Sequence, residues 1–229
     1  MLRRAFRLAL TLALLLAAVP LILVPVYGLP SVRPISTLML AEDLAWRPYD
    51  REWADLDDIA PVMAHAVIMS EDGQFCAHDG IDWVELNAVI DRAVEDGEAS
   101  RGASTIPMQT VKNLFLWNGR SFVRKAMEVP LALYADAVWS KRRTLEIYLN
   151  IAELGPGIFG VAAASRYYFN RPPSELTARQ AALLAAALPS PLTRDPAEPS
   201  AGHSRIAERI AARARGAGAY VRCLDAEAS

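Results

Sequence analysis

Read as a string of apolar and polar positions, the chain opens with a block unlike anything that follows. Arg3, Arg4 and Arg7 precede an uncharged and almost wholly apolar run from Leu8 to Tyr27, broken by Pro20 and Pro25. The run is close to the ~20 residues a bilayer core requires and longer than the ~7–15 of a cleavable leader. Ala17-Ala18-Val19 mimics a cleavage site, but the length favours an uncleaved transmembrane anchor over residues 8–27. Basic residues mark the cytoplasmic end of such spans, so residues 1–7 are expected inside and everything beyond Tyr27 outside.

Beyond Tyr27 the pattern changes. Gly28 to Pro34 reads as an extended linker, the start of a membrane-proximal segment running to residue 55. From about Leu56 the apolar positions fall at helical periods, predicting helices over Pro61–Ser70, Trp83–Glu95, Val123–Trp139, Arg143–Ile151 and Thr177–Ala187. Strand-like alternation is almost absent. The polar stretch Glu95 to Gly102 predicts a loop able to order over a substrate. Pro189, Pro191, Pro196 and Pro199 close the core, and a last Ala/Arg helix is expected from about His203 to Ala217. The expected architecture is mainly α, one domain over residues 56–229 behind a single anchor.

Composition narrows the function by exclusion. The 229 residues are 53% apolar with a formal net charge of −2, which lacks the basic excess of a general nucleic-acid binder. His65, His78 and His203 are scattered, with no metal-binding spacing. Cys76 and Cys223 are the two cysteines. Outside the cytoplasm paired cysteines tend to persist as disulfides. Two readings stay open: a bridge clamping the tail to the turn around Cys76, or two unrelated thiols, since spacing alone does not fix their distance.

Chemistry gathers in a few clusters. Glu71 and Asp72 follow the helix ending near Ser70, where the negative end of the helix dipole disfavours acids. A local rule broken in this way marks a candidate site, although a polar turn stopped by Gly80 explains the segment as well. Ser104 and Thr105 open a helix with Pro107 in its first turn, a geometry that suits either an anion or an ordinary N-cap. Gln109 and Lys112 share a face of that helix. Arg124, Lys125 and Glu128 lie together on another, base before acid, the poorer order for a purely structural pair. Lys141-Arg142-Arg143 leads into Glu146, Tyr148 and Asn150, charges that singly read as a solvated helix face. Carboxylates among fixed cations suit glycosyl transfer, which needs a base and groups to manage a leaving charge.

Five segments, EDGQFCAHDG, GASTIPMQTVKN, RKAME, KRRTLEIYLNIAELGPGIFGVAAAS and AALLAAALPSP, occur in the order of the five motifs of the peptidoglycan glycosyltransferases. The chain resembles the monofunctional, biosynthetic members of that family from about Ile59 to Leu192. The resemblance implies a lysozyme-like α domain that polymerises lipid II with inversion and releases polyprenyl diphosphate. It implies Glu71 as the catalytic base and Glu128 as a second catalytic carboxylate, organising the donor diphosphate directly or through magnesium or manganese. Lys112, Arg124, Lys125 and Lys141 match positions that hold the diphosphate, and Asp72, Ser104, Thr105 and Gln109 complete the substrate shell. One departure is visible: many members carry two glutamines where this chain has Met108-Gln109. Implied partners are lipid II, the growing glycan, the bacterial inner membrane and other cell-wall synthesis proteins. The implied location of the catalytic domain is the periplasm.

The Ser-x-x-Lys and Lys-Thr-Gly motifs of a transpeptidase do not occur, so no transpeptidase activity is expected. Two alternatives remain. A lytic transglycosylase or muramidase would also use a glutamate but has no need of cations around a diphosphate. A non-catalytic cell-wall scaffold would have no need of either glutamate. Leu114-Phe115-Leu116-Trp117 is left between a lipid-dipping patch and buried core.

Overall fold

A computed structural model describes residues 2–96, 104–119 and 121–225. Its elements in chain order are α1 (Leu2–Tyr27), α2 (Thr37–Leu44), β1 (Asp50–Arg51), α3 (Pro61–Glu71), α4 (Trp83–Asp96), α5 (Ile106–Phe115), α6 (Phe122–Val138), α7 (Lys141–Ile151), β2 (Glu153–Gly155), β3 (Ile158–Phe159), α8 (Val161–Phe169), α9 (Ala178–Ala187) and α10 (Ala201–Arg215). A 3-10 turn over Gly218–Leu224 follows. The mainly helical expectation holds, and the predicted helices agree with α3, α4, α6, α7, α9 and α10 to within a few residues.

Local chemistry sets many of the ends. Ser36, Thr105, Ser121, Ser140, Thr177 and Ser200 each cap the helix that follows, the side-chain oxygen accepting a backbone N–H left free in the first turn. Thr177 and Gln180 complete a reciprocal capping box. α2 and β1 fall within the stretch expected as linker and membrane-proximal segment. Residues 97–102 of the expected substrate-covering loop lie outside the described residues, while Glu95 and Asp96 belong to α4.

Two apolar clusters share α7. One joins α3, α8, α9 and α10, where residues 181–187 are all buried and five of the seven are alanine, a side chain small enough for close helix packing. The other joins the end of α1 with α5 and α6. Leu145, Tyr148 and Leu149 of α7 enter the first cluster, and Ile147 and Ile151 the second. A helix clothed in apolar residues on both sides becomes the central strut. The strands were invisible to periodicity because each is two or three residues long; β3 pairs parallel with β1 and antiparallel with β2. Gly160 has φ 81°, and a Cβ there would stand 2.9 Å from the carbonyl oxygen of Asn150, so the turn from β3 into α8 requires glycine.

The LFLW segment divides. Leu114 and Leu116 are buried, Phe115 stacks on Tyr27 and Trp117 is half-exposed. Among the described residues no helix is long and apolar enough to cross a membrane. The span expected over residues 8–27 of α1 therefore rests on its sequence.

Candidate active site

Glu71 is the last residue of α3, and Asp72 is its C-cap. The two acids are near neighbours with opposite engagements. Asp72 is buried, accepts from the backbone N–H of Ile106 at 2.9 Å, and contacts His78 Nε2 through both oxygens at 2.9 and 3.0 Å. Its negative charge therefore sits at the N-terminus of α5, where free N–H groups welcome it. The acid disfavoured at the end of α3 is favoured at the start of α5. Asp72 thus joins two helices, and its position in the cleft wall is fixed from within.

Glu71 is half-buried and, among the described residues, accepts two hydrogen bonds. Oε1 accepts from Ser70 Oγ at 3.2 Å and Oε2 from Gln109 Nε2 at 3.0 Å. Burial pushes its carboxyl above the ordinary range; the bonds from Gln109 and Ser70 oppose that shift, Asp72 adds to it, and Lys112 pulls it down. A carboxyl so placed is a stronger proton acceptor than an exposed one, which suits a general base.

Gln109 is the connecting residue. Its Oε1 accepts from the Tyr148 hydroxyl at 3.0 Å while its amide donates to Glu71 and, at 3.4 Å, to the carbonyl of Ser104. The single acceptor of the Gln side chain is taken by a hydroxyl, so its N–H groups are aimed at the carboxylate. Met108, at the departure from the family pattern, is fully buried core. The polar duty at this pair of positions rests on Gln109.

From Ser104 the network runs to the cations. Lys125 Nζ donates to Ser104 Oγ at 2.6 Å and to Glu128 Oε2 at 2.9 Å, and Arg124 Nη1 donates to Glu128 Oε1. Glu128 is buried at 2% exposure and Arg124 is nearly so, whereas Lys125 is half-exposed. One carboxylate thus pins two cations on α6. Lys112, one turn past Gln109 on α5, lines a cleft of about 450 Å³ with Gln109, Asn113, Tyr148, Ser190 and Thr193. Burial pushes its amine below the ordinary lysine value; Glu128 opposes this, Arg124 and Lys125 reinforce it, and Glu71 opposes it. A second cleft of about 370 Å³ is lined by Glu71, Ser104, Gln74, Asp82, Arg213 and Tyr220, among others. Gln109 lines the first cleft and Glu71 the second, and the hydrogen bond between them links the two linings.

Of the expected site residues, Glu71, Ser104, Gln109, Lys112, Arg124, Lys125 and Glu128 form this constellation. Thr105 is buried and doubly used, donating to the Gly80 carbonyl at 2.7 Å and capping α5 through Met108 N–H at 3.3 Å. Lys141 is not brought into the network: it donates to the His78 carbonyl at 2.6 Å and Asp136 Oδ1 at 2.7 Å, over the ring of Phe75. With Asp72, these groups brace the Glu71 turn and the α5 start. The expected site set omitted Tyr148, His78 and Ser70. Tyr148 meets Gln109 across 39 positions of chain, a pairing that no local spacing announces.

The cysteine question is resolved in favour of the bridge. Cys76 and Cys223 are bonded, Cα–Cα 5.4 Å, and the Cys223 N–H points to the Cys76 sulfur. The 3-10 turn that carries Tyr220 is thereby fastened to the turn that follows Glu71. Arg142 adds a second hold, donating to the Leu224 carbonyl at 2.7 Å.

The donor set does not form a cage for a divalent ion. Both oxygens of Glu128 are engaged by cations, and among the described residues no group of three or more His, Cys, Asp or Glu side chains could hold a metal. Among the described residues, the fixed positive charge beside Gln109 and Glu128 is that of Lys112, Arg124 and Lys125.

A mainly helical domain that sets a proton-accepting carboxylate on a cleft wall, near fixed cations, has the parts that glycosyl transfer from a charged leaving group requires. The Transglycosylase family model matches residues 39–215. The chain is 54% identical to a biosynthetic peptidoglycan transglycosylase of Agrobacterium fabrum, covering 96% of each chain. It is 56% identical to proteins of that description from Brucella suis, over 94% of this chain and 96% of the relative, and from Mesorhizobium japonicum, over 98% and 95%. The chain belongs to the transglycosylase family, and it is a peptidoglycan glycosyltransferase.

Proposed function

We propose that this enzyme polymerises lipid II into linear glycan strands. The observation that carries the reading is the continuous chain from Glu71 through Gln109 and Ser104 to Lys125, Glu128 and Arg124, with Lys112 alongside. A glycan hydrolase needs the carboxylate but not the cations, and a scaffold needs neither.

In the proposed step the acceptor's 4-hydroxyl lies in the Glu71 cleft and the donor diphosphate in the Lys112 cleft. The acceptor oxygen attacks the donor's anomeric carbon as the bond from that carbon to the diphosphate oxygen breaks. The hydroxyl proton passes to Glu71, and inversion follows from attack opposite the leaving group. Negative charge grows on the departing polyprenyl diphosphate, and cations already in place stabilise it without reorganising. Lys112 is suited to direct contact. Arg124 and Lys125 are oriented by Glu128, and Asp72, Thr105 and Lys141 act by holding the turn and α5 in register.

The anchor belongs to the same proposal. The uncharged stretch within α1, preceded by three arginines, supports a single span with residues 1–7 in the cytoplasm and the catalytic domain in the periplasm. An inner-membrane tether confines enzyme and lipid-linked substrate to two dimensions, which raises their effective concentration.

The deciding experiment incubates the purified full chain with lipid II and then digests the product with a muramidase. Muramidase-sensitive polymer supports the polymerase; shortening of pre-formed strands supports a lytic enzyme; no product supports a scaffold. Glu71→Gln keeps the shape but loses proton affinity, so turnover is expected to fall by about 10²–10⁴-fold with donor binding retained. Near-normal polymerisation by that variant would remove Glu71 from the role of base.

A further inference from the structure

The end of α1 is not a free tether. A helix leaves its last carbonyls without intrahelical partners, and such groups must find partners where they are buried. Here one side chain from another element gathers three carbonyls at the exit of α1. Arg143 Nε donates to the carbonyl of Tyr27 at 2.8 Å, and Nη2 donates to those of Leu29, at 3.0 Å, and Val32. Nη1 pairs with Glu146, and the guanidinium face lies 5.5 Å from the Trp53 ring centroid. Arg143 is 6% exposed, so this is no solvated helix face. α6 and its C-cap residue Trp139 add two holds nearby: the Tyr134 hydroxyl donates to the Leu21 carbonyl at 3.0 Å, and Trp139 Nε1 to that of Val24 at 2.6 Å.

The same helix that grips α1 also sets the base. Arg143 and Tyr148 both lie on α7, and Tyr148 orients Gln109 on Glu71. An α-helix is stiff over such a distance, rising ~1.5 Å per residue. The exit of α1 and the proton acceptor are therefore joined through one strut.

We infer that Arg143 is a positioning residue that fixes the direction in which α1 leaves the catalytic domain, and so the height and tilt of Glu71 above the membrane that supplies the substrate. The inference rests on α1 being the anchor and on the glycosyltransferase reading. A lysine cannot reproduce it, because an ammonium is a point charge without the planar fork that reaches three carbonyls at once.

The test compares initial polymerisation rates of the full chain in phospholipid vesicles containing lipid II and in detergent micelles, where substrate and enzyme are free to choose their relative orientation. Arg143→Gln and Arg143→Lys are measured beside the double variant Tyr134→Phe with Trp139→Phe, which removes those two holds while keeping aromatic bulk. Since misplacement by about 1 Å can cost ~10²-fold, the vesicle rate is expected to fall at least ~10-fold for Arg143→Gln. A smaller loss is expected for Arg143→Lys and for the double variant, while micelle rates stay near wild type. Equal losses in vesicles and micelles, or full vesicle activity in all three variants, would overturn the inference. Extraction of the wild-type chain from vesicles by alkaline carbonate would overturn the anchor beneath it. A wild-type chain inactive in both media would overturn the glycosyltransferase reading.

Discussion

Replacing Cys76 and Cys223 together by alanine tests how the catalytic turn is held. The bond closes a loop with a sequence separation of 147 residues. In the chain-entropy model such a loop restricts the unfolded state by about 5 kcal/mol, and removal of native disulfides costs about 2–5 kcal/mol in practice. Both cysteines pack against the larger apolar cluster, so alanine loses some contact but buries no new polar group. For a domain of this size each kcal/mol shifts the midpoint by about 2–4 °C, so the double variant is expected to melt about 5–15 °C below wild type. Thermal unfolding by circular dichroism of the full chain in detergent measures this, with reductant on the wild type as an independent route. The denatured, unreduced wild type should take up no thiol label, and two labels per chain after reduction. At low temperature polymerisation should survive better than stability does, because Asp72–His78 and Lys141–His78 contacts still brace the turn. A double variant melting within about 1 °C of wild type, or two thiols labelled before reduction, would refute the clamp.

Three further outcomes follow from the site. Glu71 must be ionised to accept a proton and its carboxyl is raised by burial, so the acid limb of the rate profile should lie above the ordinary glutamate value. Lys112 is lowered by burial, so the alkaline limb should begin below the ordinary lysine value, and limbs at the unshifted positions would contradict both assignments. The shift on Glu71 also has a stability sign: below the unfolded value of 4.5 both states are protonated and nothing is gained or lost. Above it the folded state resists ionisation, so Glu71→Gln should melt higher than wild type at neutral pH, with the gap closing as pH falls; a gap independent of pH would contradict this. Glu128→Gln leaves Arg124 and Lys125 without their shared carboxylate. Because both cations retain some access to water, the expected cost is about 1–3 kcal/mol rather than the full penalty of a deeply buried pair, with a large loss of polymerisation. Unchanged activity in that variant would make the Glu128 cluster purely structural.

Much of this protein was legible along the chain because its information is local. Helical periods in α3, α4, α6, α7, α9 and α10 repeat over enough residues to be read, and their Ser and Thr caps act within a single turn. The five ordered motifs carried Glu71, Gln109, Lys112 and the Arg124–Glu128 group, since each motif is a short segment on one element. The strands were missed because two or three residues cannot establish an alternation, and pairing Asp50 with Ile158 is decided by packing across the chain. Distance in sequence also hid how the site residues divide their work. Nothing local says that Asp72 satisfies the start of α5, that Lys141 holds the His78 carbonyl, or that Tyr148 aims Gln109 at Glu71. Nor does sequence give the separation of Cys76 from Cys223, or show that Arg143, which reads as one of three surface bases, is buried against the end of α1. Residue type and short spacing determine which groups are available. Which of them stay free to meet a substrate is decided only when folding brings distant donors and acceptors together and each buried polar group must find a partner.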